Sequence, residues 1–184
     1  EWKRLLEGQV EDEQKGGFIQ HRNFKRKEEY ALSISDHQGE EEDTMVAISD
    51  GSLREDKAAF AMKPVQNMNA ECQGRLKGVQ GIAKAELIGA WAQLKAAERK
   101  WREGSQAQFV GILDNEGVVT KLRNVVDMTD RDVHRAAMGN LYWREVREIS
   151  RKHQRQIEWQ WVKSHTDRKG PVYKAHGECD KIAG

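Results

Sequence analysis

Cysteine is scarce in this 184-residue chain, long apolar runs are absent, and the net charge is only +1. The two cysteines, Cys72 and Cys179, form no Cys-x-x-Cys pair and no Cys/His cluster. That spacing argues against a zinc site, and free thiols in a reducing compartment are the expectation. No apolar stretch approaches the ~18 residues that a membrane-spanning helix needs, so no membrane partner is expected. No secretory signal, internal repeat or low-complexity segment is visible. An intracellular setting follows as the expectation, with nucleus, cytoplasm and mitochondrion left open. The chain starts at Glu1 rather than Met, which fits a cleaved transit peptide, a polyprotein product or an excised fragment.

The small net charge hides an asymmetry. Residues 1–43 carry twelve acids and seven bases, whereas 44–184 carry eighteen acids and twenty-four bases. The excess of bases on the larger part suits a polyanionic partner, although most surface bases are simply solvated. Residues 1–43 read as a polar N-terminal extension or linker. Gly16-Gly17 breaks any helix, and Glu40-Glu41-Glu42-Asp43 is a linker-like charge run. The cluster from Arg22 to Lys27 is a solvated tail or a nucleic-acid contact, and the alternation of Tyr30 to Ser35 suggests an edge strand.

Residues 44–50 (TMVAISD) form an apolar run ending in a carboxylate, and so predict a buried strand with Asp50 at its carboxyl end, where α/β sheets present ligand sites. Gly51 permits a turn and a close approach there. Arg54-Glu55-Asp56 predicts a hairpin turn into an antiparallel strand, Lys57–Met62, that Pro64 ends. A weak third strand lies in 66–76, with Gly74, Gly78 and Gly81 marking a loop. Leu87, Ala90, Trp91, Leu94, Ala97 and Trp101 share one helical face over 82–103. Glu86 sits at the border of that face. Residues 107–113 (AQFVGIL) form a second buried strand, ending in Asp114-Asn115. The right-handed crossover rule makes the two apolar strands parallel neighbours, which brings Asp50 and Asp114 together.

A short helix follows through Gly117 to Arg123. Thr129 and Asp132 predict a capped long helix reaching about His153, with Met138, Tyr142, Val146 and Ile149 on its apolar face. Ile157, Trp159 and Trp161 alternate with Glu158 and Gln160 as a half-exposed strand. A loop with His165, Gly170 and Pro171 leads to a last helix starting near Glu178 and carrying Asp180. The tryptophans Trp91, Trp101, Trp143 and Trp159 are read as core or interface.

The order is three strands, helix, strand, helices, strand and terminal helix. On those elements lie Ser-Asp-Gly-Ser at 49–52, Ala-Glu-Leu at 85–87, Leu-Asp-Asn at 113–115, Trp-Val-Lys-Ser-His-Thr at 161–166 and Glu-Cys-Asp-Lys-Ile-Ala at 178–183. Residues 44–184 thereby resemble the ribonuclease H family, in its type 1, retroelement reverse-transcriptase-associated branch. The resemblance implies an α/β fold: a five-stranded mixed sheet, three antiparallel strands then two parallel, flanked by helices. It implies a metal-dependent endonuclease that hydrolyses the RNA strand of RNA–DNA hybrids with two Mg²⁺ or Mn²⁺ ions. Asp50 would bridge both ions, Asp114 would complete the site that activates water, Glu86 and Asp180 would shape the other, and His165 would shuttle protons or aid product release. Gly51, Ser52 and Asn115 would contact substrate.

Elementary electrostatics agrees. Four crowded acids repel and raise one another's pKa values unless cations neutralise them, and carboxylate-rich sites select hard ions such as Mg²⁺ or Mn²⁺. Two departures stand out. His176 and Gly177 occupy the positions where the family usually has asparagine and glutamate, and the chain stops four residues after Asp180, at Gly184. They favour a second expectation: a captured ribonuclease H-like domain serving as a nucleic-acid-binding or structural module in a larger ribonucleoprotein or polymerase assembly. Retention of all four acids favours the enzyme.

Overall fold

The computed structural model describes residues 10–15, 44–64, 71–76, 81–136, 140–163 and 171–183. Among them four strands come first, then helices interleave with the last two: β1 (Val10–Lys15), β2 (Thr44–Arg54), β3 (Lys57–Pro64), β4 (Glu71–Leu76), α1 (Ile82–Arg102), β5 (Gln108–Leu113), α2 (Glu116–Arg123), α3 (Asp130–Arg135), α4 (Asn140–Lys152), β6 (Ile157–Trp161) and α5 (Pro171–Ala183). The strands make one mixed sheet in the order β1-β4-β3-β2-β5-β6. β2, β3 and β4 pair antiparallel, while β2–β5 and β5–β6 pair parallel. This is the expected five-stranded mixed sheet, with a sixth strand added at its edge.

The sixth strand comes from the polar N-terminal segment. Val10–Lys15 runs antiparallel to β4, with Val10 opposite Leu76 and Lys15 opposite Glu71. Its sequence, VEDEQK, has little β propensity, but four charges on an outer strand oppose edge-to-edge pairing with another molecule. The edge strand expected from the alternation at Tyr30 to Ser35 lies outside the described residues, as does the Arg22 to Lys27 cluster. Gly74 is not a loop residue but sits within β4, opposite Phe60.

The β2–β3 hairpin turns through Glu55 and Asp56, both at positive φ, as a two-residue I′ turn requires. Helix α1 lies on one face of the sheet, where Leu87, Trp91 and Leu94 join Met45, Phe60, Phe109 and Trp159 in the larger core. Two glycines set how closely helix and sheet approach. A Cβ on Gly51 would fall 2.8 Å from the Glu86 backbone nitrogen, and one on Gly89 would fall 2.9 Å from Ser49 Cβ. A third, Gly111 in β5, lies beneath the Trp159 ring, and a Cβ there would overlap it. Gly111→Ala is therefore expected to cost about 3 kcal/mol, the upper end of overpacking penalties. It should lower the urea midpoint at unchanged slope.

Helix α5 covers the opposite face. Ala175, Cys179 and Ala183, four residues apart, pack on Val46, Ile48, Ala61, Val110 and Ile112. Lys63 of β3 fixes the helix with an ion pair to Glu178 at 2.7 Å. The helix begins at Pro171, a full seven residues before the expected start. Proline suits a first helical position, and packing of Ala175 and Cys179 overrides the cost of Gly177 inside the helix.

The single long helix expected from Thr129 to about His153 is two helices. The Thr129–Asp132 capping box is present, but α3 ends where Ala136 takes ψ 111°. Met138 lies outside the described residues. Tyr142, Val146 and Ile149 of α4 are buried as expected, and buried Arg147 ties α4 to α3 through Asp130 at 2.6 Å.

The alternation in β6 holds only in part. Trp159 is buried, yet Trp161 is 39% exposed and Gln160 is buried. Gln160 pairs with Ile112, on the face that α5 covers. Trp161 lies at the end of the strand and donates its indole N–H to the Asp114 carbonyl.

Candidate active site

The acids converge because of how two parallel strands end. β2 and β5 pair as far as Ile48 opposite Ile112. Two residues further on, Asp50 and Asp114 lie side by side on the same face, since side chains alternate with period two. Asp50 is not the last residue of its strand, as the sequence suggested. The hairpin with β3 carries β2 on to Arg54, so Asp50 sits mid-strand, beside the point where β5 stops.

Helix α5 brings two more groups to that face. His176 and Asp180, four residues apart, are neighbours on one helical surface. His176 donates Nε2–H to Asp114 Oδ2 at 3.1 Å, and the same nitrogen lies 4.0 Å from Asp50 Oδ2. Ligand atoms of Asp50, Asp114 and His176 all lie within 4.8 Å of one another. Asp180 hydrogen-bonds Asp50. Glu86 reaches Asp50 from α1, and the Gly51 backbone N–H donates to its carboxylate. Gly51 thus has two structural duties here: it lets α1 approach and it orients Glu86.

The electrostatics is that of crowded carboxylates offset, among the described residues, only by His176. Burial, then the charge of Asp114, raises Asp50 to about 7, with Asp180 adding to the shift and His176 opposing it. Burial, then Asp114 and Asp50, raises Glu86 to about 9. Burial lowers the His176 pKa, but the hydrogen bond and charge of Asp114, with Asp50 and Asp180, outweigh it and hold the ring above its usual value. Asp50 and Glu86 are each only 4% exposed. Glu86 Oε2 is buried with no hydrogen-bond partner among the described residues. A buried carboxylate oxygen without a hydrogen-bond partner, on a side chain whose pKa is raised by Asp114 and Asp50, fits a divalent cation.

The remaining expected site residues have internal partners. Ser52 Oγ donates to the Ala183 carbonyl at the end of α5. Asn115 caps α2, its Oδ1 accepting from the Val118 N–H at 3.0 Å. Ser49, beside the site but not among the expected site residues, accepts from Gln93 at 2.6 Å, which fastens α1 to β2. His165 lies outside the described residues. His176 was given no role from the sequence, although its spacing from Asp180 places it on the same helical face.

No family model matches the chain, and no curated protein matches it. Solved structures do. The ribonuclease H domain of PFV is 15% identical, with a TM-score of 0.56 over 76% of this chain and 91% of that one. The protease-reverse transcriptase of prototype foamy virus is 16% identical, with a TM-score of 0.58 over 76% of this chain but 20% of that far longer one. LC11-RNase H1, isolated from compost by a metagenomic approach and solved in complex with an RNA/DNA hybrid, is 10% identical, with a TM-score of 0.52 over 75% of this chain and 92% of that one. Strand order, the parallel β2–β5–β6 half and the covering helices together give this chain the ribonuclease H fold.

Proposed function

We propose that the chain is a divalent-metal-dependent endonuclease that hydrolyses the RNA strand of RNA–DNA hybrids. The observation that supports this reading is that Asp50, Glu86, Asp114 and Asp180, from four separate elements, come near enough to raise the Asp50 and Glu86 pKa values, with Asp50 and Asp114 drawn closest beside His176. When bound there, Mg²⁺ or Mn²⁺ would supply a nucleophilic water at neutral pH and offset charge on the phosphodiester.

The chain's own groups have separable duties. Asp50 and Asp114, adjacent on parallel strands, set the spacing of the site. Glu86, held by the Gly51 N–H, closes it from the α1 side, and Asp180 closes it from α5. In the metal-free protein His176 orients Asp114 through its Nε2–H. His165 is assigned proton transfer or product release on sequence alone. Selection of the RNA strand would rest on 2′-hydroxyl and backbone contacts rather than base edges, with Gly51, Ser52 and Asn115 nearest the acids.

The test is a hybrid labelled separately on each strand, incubated with Mg²⁺ or Mn²⁺. The expected result is shortened RNA and intact DNA. Intact RNA, with hybrid bound by a folded protein, would replace this reading with that of a nucleic-acid-binding module in a polymerase or ribonucleoprotein assembly. A two-metal arrangement and a place beside a reverse transcriptase are parts of the same proposal.

A further inference from the structure

His176 offers the site something the four acids lack, a nitrogen ligand. Its Nε2 is 3.1 Å from Asp114 Oδ2 and 4.0 Å from Asp50 Oδ2. Two ligand atoms bound to one ion at about 2.0–2.2 Å lie roughly 3–4 Å apart; the His176 nitrogen already stands at that spacing from both carboxylates, and ligand atoms of all three groups fall within 4.8 Å of one another. His176 is 7% exposed, and α5 is pinned to the sheet by its apolar stripe and by the Lys63–Glu178 ion pair. The imidazole is therefore held in place before any ion arrives. A second observation points to a ligand independently: buried Glu86 Oε2 has no hydrogen-bond partner among the described residues and its carboxyl group contacts Asp50.

We propose that Asp50, Asp114 and His176 form a mixed oxygen–nitrogen metal site, which shifts the preference of this centre from Mg²⁺ toward ions that accept imidazole, Mn²⁺ and above all Zn²⁺. Carboxylate oxygens alone suit Mg²⁺, whereas imidazole nitrogen suits Zn²⁺ and other first-row transition ions. Mg²⁺ also dehydrates reluctantly and demands near-ideal octahedral geometry, so a fixed nitrogen adds little for it. On ion binding, the Nε2 proton now shared with Asp114 leaves to solvent, and the nitrogen lone pair goes to the metal. The proposal rests on the metal-site reading above, but its test requires no nucleic acid.

The informative variant is His176→Gln. Glutamine keeps an N–H donor for Asp114 and removes the imidazole nitrogen. If His176 only positioned Asp114, the variant would bind both ions as before. Calorimetric titration of the metal-free protein with Zn²⁺ and separately with Mg²⁺ distinguishes the cases. The expected result is a loss of at least about 10-fold in Zn²⁺ affinity, with Mg²⁺ affinity unchanged. Equal losses for both ions, or no loss for Zn²⁺, would overturn the proposal. Should the variant not fold, histidine side-chain ¹⁵N spectra of the wild-type protein decide. Zn²⁺ must convert the His176 Nε2 signal from protonated to metal-bound, and an unmoved signal overturns the proposal. Zn²⁺ binding through His176 without hybrid cleavage would keep this inference and remove the nuclease reading. Mg²⁺-dependent cleavage with no role for His176 in Zn²⁺ binding would do the reverse.

Discussion

Asp50→Asn is expected to abolish cleavage of the RNA strand while making the metal-free protein more stable. Asp50 occupies the centre of the site, hydrogen-bonded to Asp180 and Glu86 and facing Asp114. Asparagine keeps the shape and hydrogen-bonding capacity but cannot supply the charge that holds a cation. The expected loss in kcat is on the order of 10³-fold or more, as for removal of a principal electrostatic group in phosphoryl or acyl transfer. The stability change has the opposite sign. Asp50 is buried among acids, so its ionised form burdens the metal-free fold. Relief of about 1 kcal/mol would raise Tm by roughly 2–4 °C in a chain of this size. A variant that unfolds without metal would show Asp50 to be a structural residue.

The second large effect is an inverted dependence of stability on pH. In the folded protein Asp50 titrates at about 7 and Glu86 at about 9, each raised chiefly by burial and then by neighbouring carboxylates. In the unfolded chain both titrate near 4. Between those values the folded state holds more protons than the unfolded one, so stability falls as pH rises. His176, also raised, contributes with the same sign and is lost as pH rises through its folded value. Across pH 5 to 9, metal-free protein should therefore be most stable at pH 5 and lose stability progressively toward pH 9, by on the order of several kcal/mol. Saturating Mg²⁺ or Mn²⁺ should remove the slope, because the cation stabilises the ionised carboxylates. Thermal unfolding from pH 5 to pH 9, with chelator and with metal, reads both. A flat or rising profile in chelator would contradict the burial and crowding of the site.

The sheet and the acids were legible because they rest on strong local signals. The runs at 45–48 and 109–113 do not alternate because both faces of β2 and β5 are buried, one in the α1 core and one in the α5 cluster. The stripe from Leu87 to Trp101 has helical period because one side of α1 lies on the sheet. The less legible features depend on long-range packing. β1 is a polar hexapeptide made a strand by the free edge of β4. The start of α5 was obscured by Gly177, whose helical cost is outweighed by burial of Ala175 and Cys179 against the sheet. Gln160 is buried on the Ile112 side of the sheet and Trp161 is exposed at the last residue of the strand. The break between α3 and α4 does have a sequence signal, Gly139 followed by Asn140, a stop that the capping box at Thr129 and the apolar face continuing to Ile149 masked. His176 was legible in principle: four residues before Asp180, it had to share its helical face once the helix was seen to begin at Pro171.

The measurement that tests the central claim most directly is titration of metal-free protein with Mn²⁺, bound ion being counted by electron paramagnetic resonance, in the wild type and in Asp50→Asn. The account predicts tight Mn²⁺ binding in the wild type, with two ions at saturation when a hybrid is present, and loss of that binding in the variant. Absence of tight Mn²⁺ binding in the folded wild type, or equal binding by the variant, would contradict it.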